Sequence, residues 1–235
     1  MIAGGTLGRW QRRAVERFAE AVVTGLAWNK RVRRTMLRKL SVDYLSPEVL
    51  VLARFPDHGF FVSPGDQTIG FELLSGKSWQ RSELVDAIDI LKAAGALRPE
   101  GWFVDIGANI GTQTVYAMLA ECFAGVVAIE PEPENFALLE RNIAHNGLSA
   151  HAIAIQAAAT AAPGTVALRV NHRNGGGHSL NPAHLRSPSH TISVRGAPGD
   201  EFIAEAGIAA GDAALVWLDV EGSEAEVLAG LDRVR

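Results

Sequence analysis

The segment FVDIGANIGTQT (residues 103–114) combines residue types that could bind a small polar ligand. Asp105 ends an apolar run, and Gly107 and Gly111 follow within six residues. Glycine permits unusual backbone angles and lets a ligand approach the main chain. The Asp105 carboxylate could accept hydrogen bonds from a cationic group, and the amides that open the next helix could hold an anion. A ligand with an ammonium and a carboxylate on one carbon would suit this arrangement.

Glu130 ends the next predicted strand, one strand–helix–strand unit after Gly107. An acid in this position can accept hydrogen bonds from both hydroxyls of a ribose. Dinucleotide sites have three glycines in the pattern GxGxxG, whereas Asn109 stands here where the second glycine would lie. The spacing therefore favours S-adenosylmethionine over NAD. The alternative is a strand–turn–helix that binds no ligand and needs its glycines only for packing.

Alternating strands and helices from Gly101 onward must position these residues. Short apolar runs predict buried strands at WFVDIG, GVVAIEP, HAIAIQAA and ALVWLDVEG, with helices between or after them. Two further predicted strands, TVALRV and TISVRG, flank a polar, glycine-rich loop. This order predicts an α/β fold with a parallel sheet and helices on both faces.

The residues before Gly101 divide into two further segments. Residues 1–42 form a basic segment with helical periodicity, and residues 43–98 form a lead-in to the catalytic domain. Three prolines predict short strands and turns up to residue 74, and helical spacing predicts a helix over 80–97 with Ser82 as its N-cap. The predicted ligand-binding domain is 99–235.

The composition is that of a globular protein without disulfides. The chain has 235 residues, of which 48% are hydrophobic and 20% charged, which argues against global disorder. Cys122 is the single cysteine, so no intramolecular disulfide can form. Neither a signal peptide nor an apolar run of about 20 residues is visible, and we predict a cytoplasmic protein.

The charge is unevenly distributed along the chain. Residues 1–40 hold ten Lys or Arg against two Glu, about +8, which leaves about −12 on the remainder. The basic residues within 9–39 could pack on the catalytic domain, lie on an anionic membrane surface or bind an acidic partner. We predict no nucleic-acid partner, because the acidic remainder would be repelled by phosphates.

Four motifs together resemble the FkbM family of S-adenosylmethionine-dependent methyltransferases. They are VDIGANIG (104–111), AIEPEPENFALLERNIAHNG (128–147), GGHSL (176–180) and LDVEGSEAEVLAGL (218–231). The pairing of GANIG with the distant DVEG-x-E-x-x-VL-x-G is specific, although either half alone is weak. The resemblance covers residues from about 60 onward and implies a class I methyltransferase (Rossmann-like) fold. It also implies O-methylation of a hydroxyl on a sugar or natural-product-like molecule.

The resemblance also implies roles for individual residues. The cofactor-binding residues would be Asp105, Gly107, Ala108, Asn109, Gly111, Glu130, Pro131, Gln156, Ala157 and Asp219. A base must remove the acceptor's hydroxyl proton, and the candidates are Glu221, Asp219 and His178. Asp219 could instead hold the methionine ammonium, and Glu221 could merely cap the following helix. A metal bound by His172 and His178 is a poor alternative, because the glycine-rich loop between them offers no further ligand.

Compared with the family, the chain stops soon after its fourth predicted strand, where the full fold would add three more. We therefore expect either a fragment or an edge that other segments or a partner cover. Two other functions stay open: an NAD-dependent oxidoreductase, and a non-catalytic, truncated binding module. The acceptor, the oligomeric state and the role of the basic segment cannot be read from these residues.

Overall fold

The structure, a computed structural model, describes residues 49–171, 174–185 and 188–233. The strands in these ranges are β1 (Val51–Arg54), β2 (Gly59–Val62), β3 (Trp102–Ile106), β4 (Gly125–Ile129), β5 (Ala152–Ile155), β6 (Ala158–Ala159), β7 (Gly164–Val170), β8 (His190–Ala197) and β9 (Ala213–Leu218). The α-helices are α1 (Ile69–Leu74), α2 (Arg81–Ala93), α3 (Thr112–Leu119), α4 (Pro133–His145), α5 (Gly199–Glu205) and α6 (Glu224–Ala229). A short 3₁₀ helix at Ala210–Asp212 precedes β9.

The central sheet has the strand order β5-β4-β3-β9, and all three of its pairings are parallel. Strands β3, β4 and β5 follow one another towards one edge, and β9 then pairs on the other side of β3. The order therefore reverses at β3, and ligands of such sheets bind beyond the carboxyl ends of the strands at this reversal. The predicted Rossmann-like α/β fold is confirmed.

Helices cover both faces of this sheet, which explains why its strands read as continuous apolar runs. Phe103 and Val126 pack on one face, in one buried cluster with residues of α3. Val104 and Val127 point to the opposite face, where they join a second cluster with residues of α5 and α6. All four side chains have no exposed surface. The helices thereby fix the strand ends that carry the candidate site.

A second sheet of three strands has the order β6-β8-β7. Strands β7 and β8 are antiparallel, and β6 pairs with β8 in parallel. The sequence predicted a single third strand over HAIAIQAA, but that strand divides at the exposed Gln156. Ala152–Ile155 stays in the central sheet, whereas Ala158–Ala159 pairs with the second one. This division turns the chain along one side of the candidate site.

The lead-in before the central sheet differs from its prediction at two places. Residues 69–74 form a helix instead of strands and turns, because the Asp66 side chain accepts hydrogen bonds from the backbone N–H groups of Thr68 and Gly70. Helix α2 begins after Gln80, which adopts a left-handed conformation with φ of 50°. Ser82 therefore lies inside the helix and donates its hydroxyl to Glu83. The predicted element at 69–74 and the predicted N-cap of α2 were therefore wrong.

The basic segment and its proposed contacts through residues 9–39 lie outside the described residues. Of the helices that the structure does describe, none is both long enough and apolar enough to cross a membrane. The cytoplasmic location and the division into segments 1–42, 43–98 and 99–235 stay predictions.

Candidate active site

A cavity lies beyond the carboxyl ends of β3, β4 and β9, where the strand order reverses. Several predicted site residues line it, and they come from the ends of β3, β4, β5 and β9 and from one loop. These are Gly107, Asn109, Glu130, Pro131, Ala157, His178, Asp219 and Glu221. Four predicted residues do not line it, namely Asp105, Ala108, Gly111 and Gln156. The cavity therefore gathers most, but not all, of the predicted positions.

Gly107 is required where the turn after β3 meets the turn after β9. It has φ of 84°, in the left-handed region, and a Cβ built on it would overlap the carbonyl oxygen of Asp219. Its N–H donates to the carbonyl of Ile129 over 2.9 Å, which ties it to β4 as well. The sequence explained this glycine by ligand approach. The structure adds a second reason, which is the close approach of two segments of the protein's own backbone.

Glu130, at the end of β4, holds its carboxylate on the cavity wall through two backbone donors. Oε2 accepts from the N–H of Asn109 over 2.8 Å, and Oε1 accepts from the N–H of Glu132 over 2.9 Å. The residue is 4% exposed, and burial raises the pKa of Glu130 to about 8, against the lowering effect of these two N–H groups. Each carboxylate oxygen retains a lone pair with which a ligand hydroxyl could bond.

Asp105 lies behind the cavity wall. Its Oδ2 accepts from the hydroxyl of Thr114 over 2.6 Å, and the residue is 1% exposed. Burial, together with the nearby charge of Asp219, raises the pKa of Asp105 to about 7, against the lowering effect of the Thr114 hydroxyl. The prediction that Asp105 reaches the ligand directly does not fit this position. Helix α3 packs on β3 and supplies the hydroxyl that covers the carboxylate.

Ala108, Gly111 and Gln156 also lie away from the cavity, each for a different reason. Ala108 packs in a small buried cluster with α4. Gly111 has φ of 86°, caps the start of α3, and a Cβ there would approach the Leu139 side chain to 2.7 Å. The Gln156 side chain is exposed, and the wall next to it is formed by Ala157, Ala158 and Ala159 instead. The predicted adenine border is therefore apolar and built of small residues.

The loop at 174–178 lines the cavity and is held by hydrogen bonds on two sides. The carbonyl of Gly175 accepts from the Nδ2 groups of Asn109 (2.6 Å) and Asn135 (2.8 Å). On the other side, the Gly175 N–H donates to Asp66 over 3.3 Å, and the Thr68 hydroxyl lies 2.8 Å from the Asn174 side chain. Asn109 therefore connects the β3 turn, Glu130 and this loop, a role that its sequence position did not reveal.

Asp219 follows β9 at the mouth of the cavity. The surrounding protein raises the pKa of Asp219, the negative charge of Glu221 raises it further, and a hydrogen bond from the Gln80 side chain opposes both. Gln80 is in turn held by the Nε2 of Gln113, which donates to its Oε1 over 2.9 Å. Gln113 is 4% exposed and lies on α3. Two amides from distant parts of the chain thus orient the Asp219 carboxylate.

Glu221 also lines the cavity, and its backbone is unusual. It has φ of 50°, which is rare for a residue with a Cβ. Its carbonyl accepts from the Ser179 hydroxyl over 2.6 Å, and its Oε2 lies 2.7 Å from the Nε2 of His184. The N-cap of α6 is Ser223, two residues later, so the alternative of Glu221 as the helix cap was wrong.

The chain's similarity to known proteins agrees with the motifs that form this cavity. A family model described as "Methyltransferase FkbM domain" matches residues 105–235, more than half of the chain. The chain belongs to the FkbM methyltransferase family. The matched range begins at Asp105 and includes both the GANIG turn and the DVEG segment after β9. No curated protein matches the chain significantly.

Several solved structures resemble this FkbM-family chain at low identity. The methyltransferase FkbM from Methylobacillus flagellatus KT is 16% identical, with 86% of this chain and 45% of that chain covered and a TM-score of 0.40. A Pyrococcus abyssi tRNA (uracil-54, C5)-methyltransferase, in complex with S-adenosyl-L-homocysteine, is 17% identical. The match covers 46% of this chain and 24% of that chain, with a TM-score of 0.34. An M. jannaschii tRNA m1G37 methyltransferase is 19% identical, with 46% of this chain and 28% of that chain covered and a TM-score of 0.33. The chain thus spans less than half the length of these proteins.

His178 lies on the FkbM cavity wall in an orientation that limits its chemistry. Its Nδ1 accepts a hydrogen bond from the backbone N–H of Asn171 over 3.0 Å. A neutral imidazole carries one proton, which must then reside on Nε2. His178 is therefore placed to donate a hydrogen bond, not to accept a proton. His172, the other histidine considered as a metal ligand, lies outside the described residues.

Sequence reasoning missed the residues that reach the FkbM cavity from other elements. Thr68, Ile69 and Trp79 line it from the lead-in, and Gln80 and His184 bind the acids at its mouth. Asp66-x-Thr68 before an apolar run could have been recognised as a helix start. For the others no local signal exists, because their contacts join positions far apart in the sequence.

Proposed function

We propose that this FkbM-family protein is an S-adenosylmethionine-dependent O-methyltransferase that acts on a hydroxyl of a sugar or natural-product-like small molecule. Family membership supports methyl transfer. The choice of cofactor and acceptor rests on the chemistry of the cavity and on the resemblance of the motifs. The single observation that carries the proposal is the acidic lining of the cavity, which contains three carboxyl groups and, among the described residues, no Lys or Arg.

Three carboxyl groups, Glu130, Asp219 and Glu221, line the cavity, and none of its described lining residues is a Lys or Arg. Burial raises the pKa values of Glu130 and Asp219, and the negative charge of Glu221 adds to the effect on Asp219. A cationic ligand would stabilise the ionised form of these carboxyl groups. S-adenosylmethionine carries a sulfonium and an ammonium, whereas the pyrophosphate of NAD would add negative charge. The cavity therefore favours the sulfonium nucleoside.

The lining residues also fit the parts of S-adenosylmethionine. Glu130 can accept hydrogen bonds from the ribose hydroxyls, and Asp219 can accept them from the ammonium. Ala157, Ala158 and Leu168 offer an apolar wall for the adenine. Small side chains leave room for a flat base there. We propose these roles in place of the direct contact predicted for Asp105 and Gln156.

The reaction requires alignment and removal of one proton. S-adenosylmethionine, when bound, supplies a methyl group that its sulfonium already activates. The protein must hold an acceptor hydroxyl in line and remove its proton, which needs a carboxylate or imidazole within hydrogen-bond reach. Glu221 is the candidate acceptor of this proton, because we assign Asp219 to the ammonium and the Nδ1 of His178 is occupied.

Calorimetry with S-adenosylhomocysteine and with NAD tests the cofactor. We expect S-adenosylhomocysteine to bind and NAD not to bind. Glu130→Gln should weaken nucleoside binding by about ten- to hundredfold, since the loss of a hydrogen bond to a charged group costs about 1.5–3 kcal/mol. Glu140→Gln, on the exposed side of α4, is the matched control and should bind normally. Binding of NAD alone would replace the methyltransferase proposal by the oxidoreductase alternative.

A methylation screen tests the acceptor. The purified chain would be incubated with S-adenosylmethionine carrying a labelled methyl group and with panels of sugars, polyhydroxylated natural products and RNA. We expect label on a small-molecule hydroxyl and none on RNA. Label on RNA would contradict the predicted absence of a nucleic-acid partner. Cofactor binding without transfer to any panel would favour the non-catalytic binding module.

A further inference from the structure

Glu221 is held in a strained backbone conformation by its neighbours. Its φ of 50° lies in the left-handed region, and Gly222 follows with φ of 90°. Such strain persists only where the surrounding structure enforces it, and it is found preferentially at functional sites. Glycine would adopt the same angle at Glu221 without cost. The glutamate side chain at this position therefore needs an explanation.

One segment, residues 179–184, enforces this conformation. The Ser179 hydroxyl donates to the carbonyl of Glu221 over 2.6 Å, and the Asn181 Nδ2 donates to the carbonyl of Gly222 over 3.0 Å. Ser179 is itself 1% exposed, and its backbone exchanges two hydrogen bonds with Arg169 of β7. The turn after β9 is thus fastened to the second sheet at two successive carbonyls.

The same segment brings His184 to the Glu221 side chain. The His184 N–H donates to the carbonyl of Asn181 over 3.1 Å, which closes a turn. Its ring lies over Gly222, where a Cβ would come within 3.0 Å of Nδ1, so a glycine leaves the space that the ring occupies. The Nε2 of His184 then lies 2.7 Å from the Oε2 of Glu221.

A contribution to stability alone does not explain this pair. The two side chains are 44% and 33% exposed, and ion pairs with such exposure stabilise proteins little. The strained backbone offsets that small gain. The pair also lies at the edge of the cavity, with Glu221 on its wall.

We infer that His184 is a positioning residue that fixes the Glu221 carboxylate for proton removal from the acceptor hydroxyl, an inference that rests on the proposed function. The Nε2–H of His184 donates to Oε2. Within the described residues no hydrogen bond engages Oε1 of Glu221, which is left for the acceptor. The hydroxyl proton passes to Oε1 and from there to solvent at the exposed mouth. The acceptor oxygen would form its bond to the methyl carbon as the carbon–sulfur bond breaks, and the electron pair of that bond would stay on sulfur in the neutral leaving group, S-adenosylhomocysteine. A base oriented by a third group is a recurrent arrangement in catalysis.

Nitrogen NMR of the histidine-labelled full chain tests the pair without an acceptor. At a pH where the ring is neutral, we expect His184 to be the Nε2–H tautomer, and Glu221→Ala to convert it to a mixture of tautomers. His184→Gln identifies the signal by its loss. His151, at the opposite edge of the sheet, is the internal control and should not change. A mixture of tautomers in the wild type, or no response to Glu221→Ala, would overturn the inference.

Turnover gives the second measurement, on the acceptor identified by the methylation screen. We expect His184→Ala to lower kcat by about tenfold or more with an unchanged KM for S-adenosylmethionine. His184→Gln should recover much of kcat, because its amide nitrogen can donate from the same place. Equal kcat in all three proteins would refute the positioning role. If the wild type fails to bind S-adenosylhomocysteine, the proposed function is wrong. The tautomer measurement tests the contact between His184 and Glu221 independently of that outcome.

Discussion

Gly107→Ala examines the contact between the turns after β3 and β9, on which the whole cavity depends. Gly107 combines φ of 84° with a position at which a Cβ would overlap the Asp219 carbonyl oxygen. Either the β3 turn or the β9 turn must move to accept alanine. Asp219 and Val220 both line the cavity, so the movement would also disturb the binding site.

Two separate costs give the expected magnitude. A positive φ at a residue with a Cβ costs about 1–2 kcal/mol, and forcing an extra methyl group into a packed site costs about 1–3 kcal/mol. Gly107→Ala should therefore lower the free energy of unfolding by about 2–5 kcal/mol. Gly147→Ala is the matched control, because it has φ of 72° but nothing within 4 Å of its Cβ position. It should show the first cost alone.

Urea denaturation of the two variants and the wild type measures the loss of stability from each cost. Calorimetry with S-adenosylhomocysteine measures the affinity of the cavity for the nucleoside. We expect Gly107→Ala to be less stable than Gly147→Ala by about 1–3 kcal/mol and to bind the nucleoside more weakly. Gly147→Ala should bind it normally, since Gly147 lies at the end of α4 and not on the cavity wall. Equal destabilisation of the two variants would refute the described contact between the turns.

Three further predictions concern the acids and their supports. Burial raises the pKa of Glu130 to about 8 in the folded protein, so between about pH 5 and pH 8 the folded state holds a proton that the unfolded chain has released. The free energy of unfolding without ligand should therefore fall as the pH rises through this range. A melting series in which Glu130→Gln shows the same pH dependence as the wild type would contradict this. Glu221→Gly should be more stable than Glu221→Ala by about 1 kcal/mol, because only glycine relieves the positive φ; equal melting temperatures would show that no strain is present. Ser179→Ala should lower the free energy of unfolding by about 1–3 kcal/mol, because the Glu221 carbonyl loses its hydrogen-bond donor. An unchanged midpoint of urea denaturation would exclude a stabilising role for this hydrogen bond.

The predictions from sequence succeeded where short-range pattern decides the structure. Continuous apolar runs identified β3, β4 and β9, because strands covered on both faces need apolar residues at every position. Glu130 and Asp219 end such runs, and both lie on the cavity wall. The prediction for Asp105 relied on the same pattern and misjudged its exposure. Whether an acid at a strand end faces the ligand or the core depends on the helix packed behind it, here through Thr114.

The sequence by itself determined the order of strands and helices and the glycines and acids at the strand ends, because residue periodicity and backbone freedom are local properties. Only the tertiary structure decided which side chains meet at the cavity. His184 reaches Glu221 across 37 residues, and the Gly175 carbonyl joins Asn109 across 66. Such pairings depend on how the two sheets are fastened together, and this arrangement leaves no local signal in the chain.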